Sequence, residues 1–182
     1  MNEYPEMVTY FERNFKVYIT AEEIDNKVSE IARQINVDYK GKSPVFLTIL
    51  NGAVLFATDL IRKITLDCEI EFLSAKSYGS SMQSSGIVEL QSYGLNIKDR
   101  DVIIVEDIVD TGHTLTNLYK NLHQFEPKSV KTACLLSKPA MRKVEVEVHY
   151  IGIEIEPVFV VGYGLDYANK GRQLPAIYKL TD

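Results

Sequence analysis

The sequence lacks the features that mark several classes of protein. No apolar run approaches the roughly 18 residues that a membrane helix needs, so we expect no membrane span. The net charge is −5, which leaves no overall basic field to attract phosphate backbones, so we expect no nucleic-acid partner. Residues 1–6 are polar and acidic, unlike a signal peptide. The sequence also has no internal repeat, low-complexity tract or linker.

Cysteine is scarce too. Cys68 and Cys134 lie in apolar, strand-like segments, and neither has neighbours at metal-ligand spacing. We therefore expect two reduced, buried thiols, which is typical of a cytoplasmic protein.

The order of predicted elements indicates a single α/β domain over residues 1–182. Thr20 is placed to cap a helix, with Glu23 completing a capping box, and apolar residues follow at helical spacing. Alternating strands and helices imply a mainly parallel, twisted sheet flanked by helices. The predicted strands are 15–19, 45–50, 69–75, 86–93, 101–105 and 130–136, and the later helices are 54–64 and 114–125.

The most informative stretch is residues 102–115. Four apolar residues end in Glu106 and Asp107, which predicts a buried strand that places two carboxylates at a sheet edge. A polar turn from Asp110 to Thr114 then precedes a helix, where backbone N–H groups and the helix dipole can hold an anion. Carboxylates beside such a turn suit a divalent cation or sugar hydroxyls. Helix capping alone is the alternative explanation of the turn.

Two further turns are predicted at the carboxyl ends of strands, at 50–53 and 76–79. Ligands of open parallel sheets bind at that edge, so the three turns are expected to form one site. Residues 77–86 are polar and flanked by glycine, which predicts a mobile loop.

These segments resemble the type I phosphoribosyltransferase family, and the likeness is closest to its hypoxanthine(-guanine) branch from about residue 17 to 182. The motifs that carry it are 102–115, 50–53, 77–79 with 84–86, and the purine-specificity segment 158–167. The resemblance implies a flexible lid at about 76–88. It also implies a small hood built from about 138–182 together with N-terminal residues.

The implied reaction is a magnesium-dependent transfer of phosphoribose from 5-phosphoribosyl-1-pyrophosphate (PRPP) to N9 of hypoxanthine or guanine. The products are IMP or GMP and pyrophosphate. The resemblance also implies a homodimer or homotetramer.

The resemblance assigns roles to residues that match the family motifs. Asp110 matches the general base at purine N7, although it can equally serve as a hydrogen-bond acceptor only. The 5′-phosphate site comprises Asp110, Thr111, Gly112, His113 and Thr114. Glu106 and Asp107 would bind ribose hydroxyls, directly or through the metal shell, and Asp166 would bind Mg²⁺.

The remaining roles concern pyrophosphate, the base and the lid. Lys138 would donate to the purine O6 and exclude adenine, whose amine is also a donor. Phe159 would stack on the ring, although core packing is its alternative. The other assignments are pyrophosphate binding by Asn51, Gly52 and Arg172, reading of the purine edge by the backbone of Val158 and Val160, and closure of the lid by Ser77 and Tyr78.

Three positions depart from the pattern of many relatives. Asn51 stands where lysine is frequent, so pyrophosphate contact there would rest on backbone N–H groups. The peptide Leu50–Asn51 is predicted to be cis, as in the relatives. Val158 replaces a lysine found in some relatives, and His113 occupies a variable position for which the sequence indicates no role.

Two alternatives remain at this stage. One is an enzyme that prefers xanthine, or guanine over hypoxanthine, which depends on backbone acceptors that a sequence does not reveal. The other is a PRPP-sensing regulator of the same fold that binds nucleic acid. Such a regulator needs a basic face or an added DNA-binding domain, and neither is evident. Kinetic order and feedback by nucleotides are likewise not evident from the sequence.

Overall fold

The computed structural model describes residues 4–74 and 95–181, which form two sheets and three α-helices. The predicted strand 86–93 and the predicted lid, including Ser77 and Tyr78, lie outside the described residues. The elements in chain order are β1 (Met7–Tyr10), β2 (Arg13–Ile19), α1 (Ala21–Asp38), β3 (Val45–Leu50), α2 (Val54–Ile61), β4 (Glu69–Ser74), β5 (Asp101–Val109), α3 (His113–His123), β6 (Ser129–Ser137), a 3₁₀ turn (Pro139–Met141), β7 (Tyr150–Glu154), β8 (Val160–Val161) and β9 (Ile177–Leu180).

Helix α1 begins as the sequence predicts. The Thr20 hydroxyl accepts from the Glu23 backbone N–H at 3.2 Å, and the Thr20 backbone N–H donates to Glu23 Oε2 at 2.8 Å. This capping box satisfies two N–H groups that the first turn leaves without partners. The helix then buries one apolar stripe, made of Ile24, Val28, Ile31, Ala32 and Ile35.

The larger sheet is parallel and has helices on both faces. Its strand order is β4-β3-β5-β6-β7. Successive residues of a strand point to opposite faces. Accordingly, Phe46 and Ile103 pack in the cluster that contains α1 and α2, whereas Leu47 and Ile104 pack with α3. The predicted α/β fold class is therefore confirmed.

The strand order identifies where a ligand can bind. From β3 the chain passes through α2 to β4 on one side, whereas the strands after β5 extend the sheet on the other side. The connections thus diverge between β3 and β5, and a crevice opens beyond the carboxyl ends of these two strands. The predicted site turns at 50–53 and 110–114 both lie there.

Strand β5 is longer than the sequence suggested. The prediction ended the strand at Val105, before the two carboxylates, but pairing with β6 continues to Val109 opposite Ser137. Pairing with β3 stops at Val105, opposite Thr48. The carboxyl end of β5 is therefore held on one side only. This places Glu106 and Asp107 within the strand, beside the turn that follows β3.

A second, antiparallel sheet joins the two ends of the chain. Its order is β1-β2-β9-β8, so two N-terminal and two C-terminal strands form one layer. Phe15, Val161 and Tyr178 are fully buried in its core. The hood was expected from about residues 138–182 with N-terminal residues. Of that range, the second sheet takes β8 and β9, whereas β7 belongs to the larger sheet. Within the purine-specificity segment 158–167, strand β8 covers only Val160–Val161.

Other boundaries differ slightly from the predictions. Helix α2 ends at Ile61 instead of residue 64, and α3 spans residues 113–123. Cys134 is buried in β6, where burial raises its thiol pKa to about 12, whereas Cys68 is half-buried in the connection before β4. Both cysteines are free. Within the described residues, no helix has the length and apolar character to cross a bilayer.

Candidate active site

A polar turn joins β5 to α3 and borders a cavity. Gly112 is the N-cap of α3 and has a φ of +87°, a left-handed conformation that favours glycine. The first N–H groups of a helix have no partner within the helix, and the helix dipole favours an anion there. The cavity has a volume of about 100 Å³ and is lined by Glu106, Ile108, Val109, Asp110, Thr111, Gly112, Thr114 and Leu115. Residues 110–114, the predicted phosphate turn, therefore have a geometry that can hold an anion.

Asp110 and Lys138 form an ion pair at the mouth of this turn. Lys138 Nζ lies 3.3 Å from Asp110 Oδ2, and only 8% of the Lys138 residue is exposed. Asp110 Oδ1 is also buried, but it has no hydrogen-bond partner among the described residues. A buried acceptor without a partner is costly, so it indicates a place for a ligand donor. The pair presents a free acceptor beside an ammonium donor.

The segment after Lys138 supports the back of the turn. Arg142 donates to the backbone carbonyls of Val109 and Asp110, and to Ser137 Oγ at 3.0 Å. Sequence reasoning missed this role, because no motif or spacing relates Arg142 to the turn.

Glu106 and Asp107 share a buried environment. Burial raises the pKa of the Glu106 carboxyl well above its ordinary value, and the neighbouring charge of Asp107 raises it further. Burial also raises the pKa of Asp107, although its hydrogen bonds and the charge of Arg172 oppose the shift. Glu106 Oε2 has no partner among the described residues. The two carboxylates are thus placed to accept hydrogen bonds from a polyhydroxyl ligand or to approach a cation.

Replacing Glu106 by glutamine is expected to stabilise the ligand-free protein at pH 8. The pKa of Glu106 is higher in the folded protein than in the unfolded chain, so the folded state binds the proton more tightly. The stabilisation from this proton is therefore fully present below pH 4.5, and it is lost as the pH rises through the raised pKa. Glutamine carries no charge at any pH, so the variant does not lose this stabilisation at pH 8. We expect Tm to rise by roughly 2–4 °C, as for about 1 kcal/mol in a chain of this size.

The measurement is thermal unfolding at pH 5 and pH 8 without ligands. Glu145→Gln removes the same charge from an exposed position and serves as the control. A Glu106→Gln protein with the same Tm difference between the two pH values as wild type would contradict the assignment.

The turn after β3 packs closely against the other loops of the crevice. The peptide Leu50–Asn51 is cis, as predicted. A Cβ on Gly52 would collide with the Asp107 carboxylate, and a Cβ on Gly164 would collide with the Gly52 carbonyl oxygen. Only glycine permits these approaches, so the turn after β3, strand β5 and the loop after β8 meet at one point. The exposed Asn51 lies at the same point.

Asp166 and Arg172 are paired with each other. Arg172 Nη2 lies 2.7 Å from Asp166 Oδ1, and Arg172 Nη1 donates to the Gly164 carbonyl at 2.7 Å. Asp166 Oδ2 accepts from the Asn169 backbone N–H at 2.7 Å. The loop is therefore internally braced, and the charge of Arg172 partly opposes the rise that burial causes in the pKa of Asp107.

Phe159 is an exposed aromatic ring on the second sheet. It is 46% exposed and meets Tyr167 edge to face, with centroids 5.7 Å apart. Its backbone carbonyl accepts from the Leu180 N–H at 3.0 Å, which holds the backbone just before β8 against β9 while the ring stays accessible. Core packing, the alternative explanation for Phe159, is therefore wrong. Val158 is half-buried and Val160 is buried.

The structure brings some of the predicted site residues together. Asp107, Gly52, Arg172 and Asp166 meet where the loops after β3, β5 and β8 converge, and Asp110 meets Lys138 at the phosphate turn. His113 and Thr114 are exposed at the start of α3. Within residues 4–74 and 95–181, no group of three His, Cys, Asp or Glu side chains lies close enough together to hold a metal ion without other ligands.

Comparison with known proteins defines the class. Residues 20–168 match the family model described as a phosphoribosyl transferase domain. The chain therefore belongs to the phosphoribosyltransferase family, as its motifs predicted.

Within that family, several similar proteins are named hypoxanthine-guanine phosphoribosyltransferase. A hypoxanthine-guanine phosphoribosyltransferase of Mycobacterium avium is 44% identical over 168 residues, which cover 88% of this chain and 83% of that protein. A crystal structure of a hypoxanthine-guanine phosphoribosyltransferase from Bacillus anthracis is similar with a TM-score of 0.86 and 41% identity, covering 91% of this chain and 98% of that one.

Some relatives are much longer. The bifunctional protein TilS/HprT of Listeria monocytogenes is 40% identical over 163 residues, which cover 89% of this chain but 25% of that protein. The chain spans about a quarter of the length of these bifunctional relatives.

Proposed function

We propose that the protein transfers phosphoribose from PRPP to N9 of hypoxanthine, and of guanine, giving IMP or GMP and pyrophosphate. The observation that carries this proposal is the Asp110–Lys138 pair, with its unpartnered Asp110 Oδ1. The names of the similar proteins agree with it.

The pair is complementary to one edge of a 6-oxopurine. That edge carries O6, an acceptor, next to N7, which bears a proton in one tautomer of the free base. Lys138 can donate to O6 while Asp110 Oδ1 accepts from N7–H. Adenine presents an amine donor where O6 would lie, so it would leave two donors facing each other. The pair therefore favours hypoxanthine and guanine over adenine.

Asp110 can also take a proton during the reaction. As N9 forms its bond to C1′ and the bond from C1′ to pyrophosphate breaks, the purine loses electron density and its N7 proton becomes acidic. A carboxylate within hydrogen-bond reach of N7 accepts that proton. Because the same residue begins the phosphate turn, the base and the ribose phosphate would be held in a fixed relation.

The remaining contacts suit the ribose and the leaving group. The partnerless Glu106 Oε2 and the Asp107 carboxylate are suited to accept from ribose hydroxyls. The Arg172 fork retains donors beyond its bonds to Asp166 and Gly164, and these suit pyrophosphate oxygens. Asn51 and Gly52 are proposed to add backbone N–H groups, and Phe159 to stack on the base.

Magnesium fits these residues as a substrate-bound ion. Mg²⁺ commonly takes one or two carboxylates and completes its shell with water and phosphate oxygens. Each Asp166 oxygen accepts one hydrogen bond and keeps a further lone pair, so Asp166 can bind the ion, and Glu106 and Asp107 can act through its water shell. When bound, the ion would neutralise charge on the departing pyrophosphate. Asp166 would hold it, and Arg172 orients the Asp166 carboxylate.

Further parts of the proposal rest on the family resemblance. Residues 76–88, with Ser77 and Tyr78, would close over the reacting centre and exclude water. The chain is proposed to act as a homodimer or homotetramer in the cytoplasm, without a nucleic-acid partner.

A direct assay tests the proposal. The protein is incubated with PRPP, Mg²⁺ and hypoxanthine, guanine, xanthine or adenine in turn, and nucleotide formation is followed by chromatography. IMP and GMP are expected, with the rate from adenine lower by at least about 10⁴-fold, as when a buried donor loses its partner. Tight PRPP binding without product from any base would instead favour a PRPP-sensing regulator.

A further inference from the structure

Arg142 makes contacts that no family motif in this sequence explains. It follows the 3₁₀ turn Pro139–Met141, and its guanidinium donates to two successive carbonyls, those of Val109 and Asp110. The next carbonyl, of Thr111, accepts from the Lys143 backbone N–H at 3.0 Å. Three consecutive carbonyls at the end of β5 thus accept hydrogen bonds from two adjacent residues.

These contacts determine which way the intervening N–H groups point. In a planar trans peptide, the carbonyl of one residue and the N–H of the next point in opposite directions. The N–H groups of Asp110, Thr111 and Gly112 must therefore point away from residues 142–143. All three residues line the cavity of about 100 Å³.

The charge of Arg142 reinforces this orientation. The negative ends of the two peptide dipoles face the guanidinium, so their positive N–H ends face the opposite side. Arginine remains protonated at any working pH, and its planar fork allows several bonds at fixed angles. Such preorganised dipoles stabilise an anion without reorganising when it binds.

The turn is closely packed against residues 144–146. A Cβ on Gly112 would lie 3.0 Å from the Val144 carbonyl oxygen and 3.0 Å from Val146 Cγ1. Arg142 Nη2 also donates a hydrogen bond to Oγ of Ser137, a residue that is only 2% exposed. The Lys138 backbone N–H donates to the Val109 carbonyl at 3.0 Å, so Arg142 and Lys138 share an acceptor.

We propose that Arg142 is a positioning residue that orients the peptide groups of the phosphate turn toward the 5′-phosphate of PRPP and aligns the turn with Lys138. This inference rests on the proposed function, because it names the group that prepares the same site. Arg142 itself contacts neither the phosphate nor the base. Loss of the Arg142 side chain should therefore weaken the binding of PRPP more than the binding of the purine.

The test compares Arg142→Ala, Arg142→Lys and the control Arg33→Ala, which removes an exposed arginine from α1. We expect Arg142→Ala to raise KM for PRPP by about ten- to a hundredfold, with a smaller change in KM for hypoxanthine. Guanidinium chloride at a concentration far below that of unfolding should recover part of the loss, and sodium chloride should not. Arg142→Lys should fall between wild type and Arg142→Ala.

A second measurement separates this inference from the proposed function. Calorimetric titration with ribose 5-phosphate reports on the turn without requiring any reaction, and it should show weaker binding to Arg142→Ala but unchanged binding to Arg33→Ala. Unfolding curves establish that each variant is folded. Wild-type KM for PRPP in folded Arg142→Ala, or a loss that guanidinium does not reverse, would overturn the inference. If wild type forms no nucleotide, the proposed function fails, and the ribose 5-phosphate titration still decides the role of Arg142.

Discussion

Replacing Asp110 by asparagine is expected to lower kcat for nucleotide formation by about a hundred- to ten-thousandfold, the usual contribution of a positioned acid or base. Asparagine has the same shape and can still accept a hydrogen bond, but it cannot take the N7 proton at neutral pH. The phosphate turn is shaped by its backbone, which this change leaves in place. KM for PRPP is therefore expected to stay close to that of wild type.

Steady-state rates with hypoxanthine and PRPP provide the measurement, and pyrophosphorolysis of IMP tests the same proton in reverse. Asp67→Asn, at an exposed position before β4, makes the same chemical change outside the crevice and should behave as wild type. A kcat within about threefold of wild type in Asp110→Asn would show that Asp110 acts as a hydrogen-bond acceptor only.

Replacing Lys138 by glutamine is expected to reduce the discrimination between oxopurines and adenine. The lysine ammonium can only donate, whereas a glutamine amide can turn its carbonyl toward the amine of adenine. The loss of a charged hydrogen bond to O6 should lower kcat/KM for hypoxanthine by about ten- to a hundredfold, which corresponds to the 1.5–3 kcal/mol typical of such a bond. The rate with adenine should rise relative to that with hypoxanthine.

The measurement is kcat/KM for hypoxanthine, guanine and adenine under identical conditions. Lys40→Gln changes an exposed lysine after α1 and provides the matched control. Because Lys138 also pairs with Asp110, the variant must be compared at equal folded fraction, which its unfolding curve provides. Unchanged preference among the three bases would mean that some other group reads position 6.

Much of the fold followed from local patterns. The capping box at Thr20 and the apolar stripe of α1 are short-range features, and the structure contains both. The parallel sheet followed from the alternation of strands and helices, since that order admits few other arrangements. The end of β5 did not follow. Two acidic residues interrupt the apolar pattern, and yet pairing with β6 holds the strand to Val109.

Site residues were predictable where one motif carries them. Asp110 and its turn stand together in the sequence, and Lys138 could be placed by its likeness to a family position. Arg142 could not be placed, because its contacts span 32 and 33 residues and depend on how the 3₁₀ turn aims its side chain. The Arg172–Asp166 pair likewise depends on a loop conformation that no periodic pattern reports.

The second sheet implies that the parts of the site form in a particular order during folding. Strand β2 pairs with β9, so its register, such as Phe15 with Leu180, requires almost the whole chain to be present. The neighbouring strands β5 and β6, by contrast, are connected through α3 alone. Contacts between distant residues form slowly, because a long loop must close first. During synthesis, the turn for the sugar phosphate can thus take shape while the surface bearing Phe159 still awaits residues 177–180. On the proposed function, the phosphate turn and the Asp110–Lys138 pair would form before the second sheet adds the aromatic surface that would stack on the base.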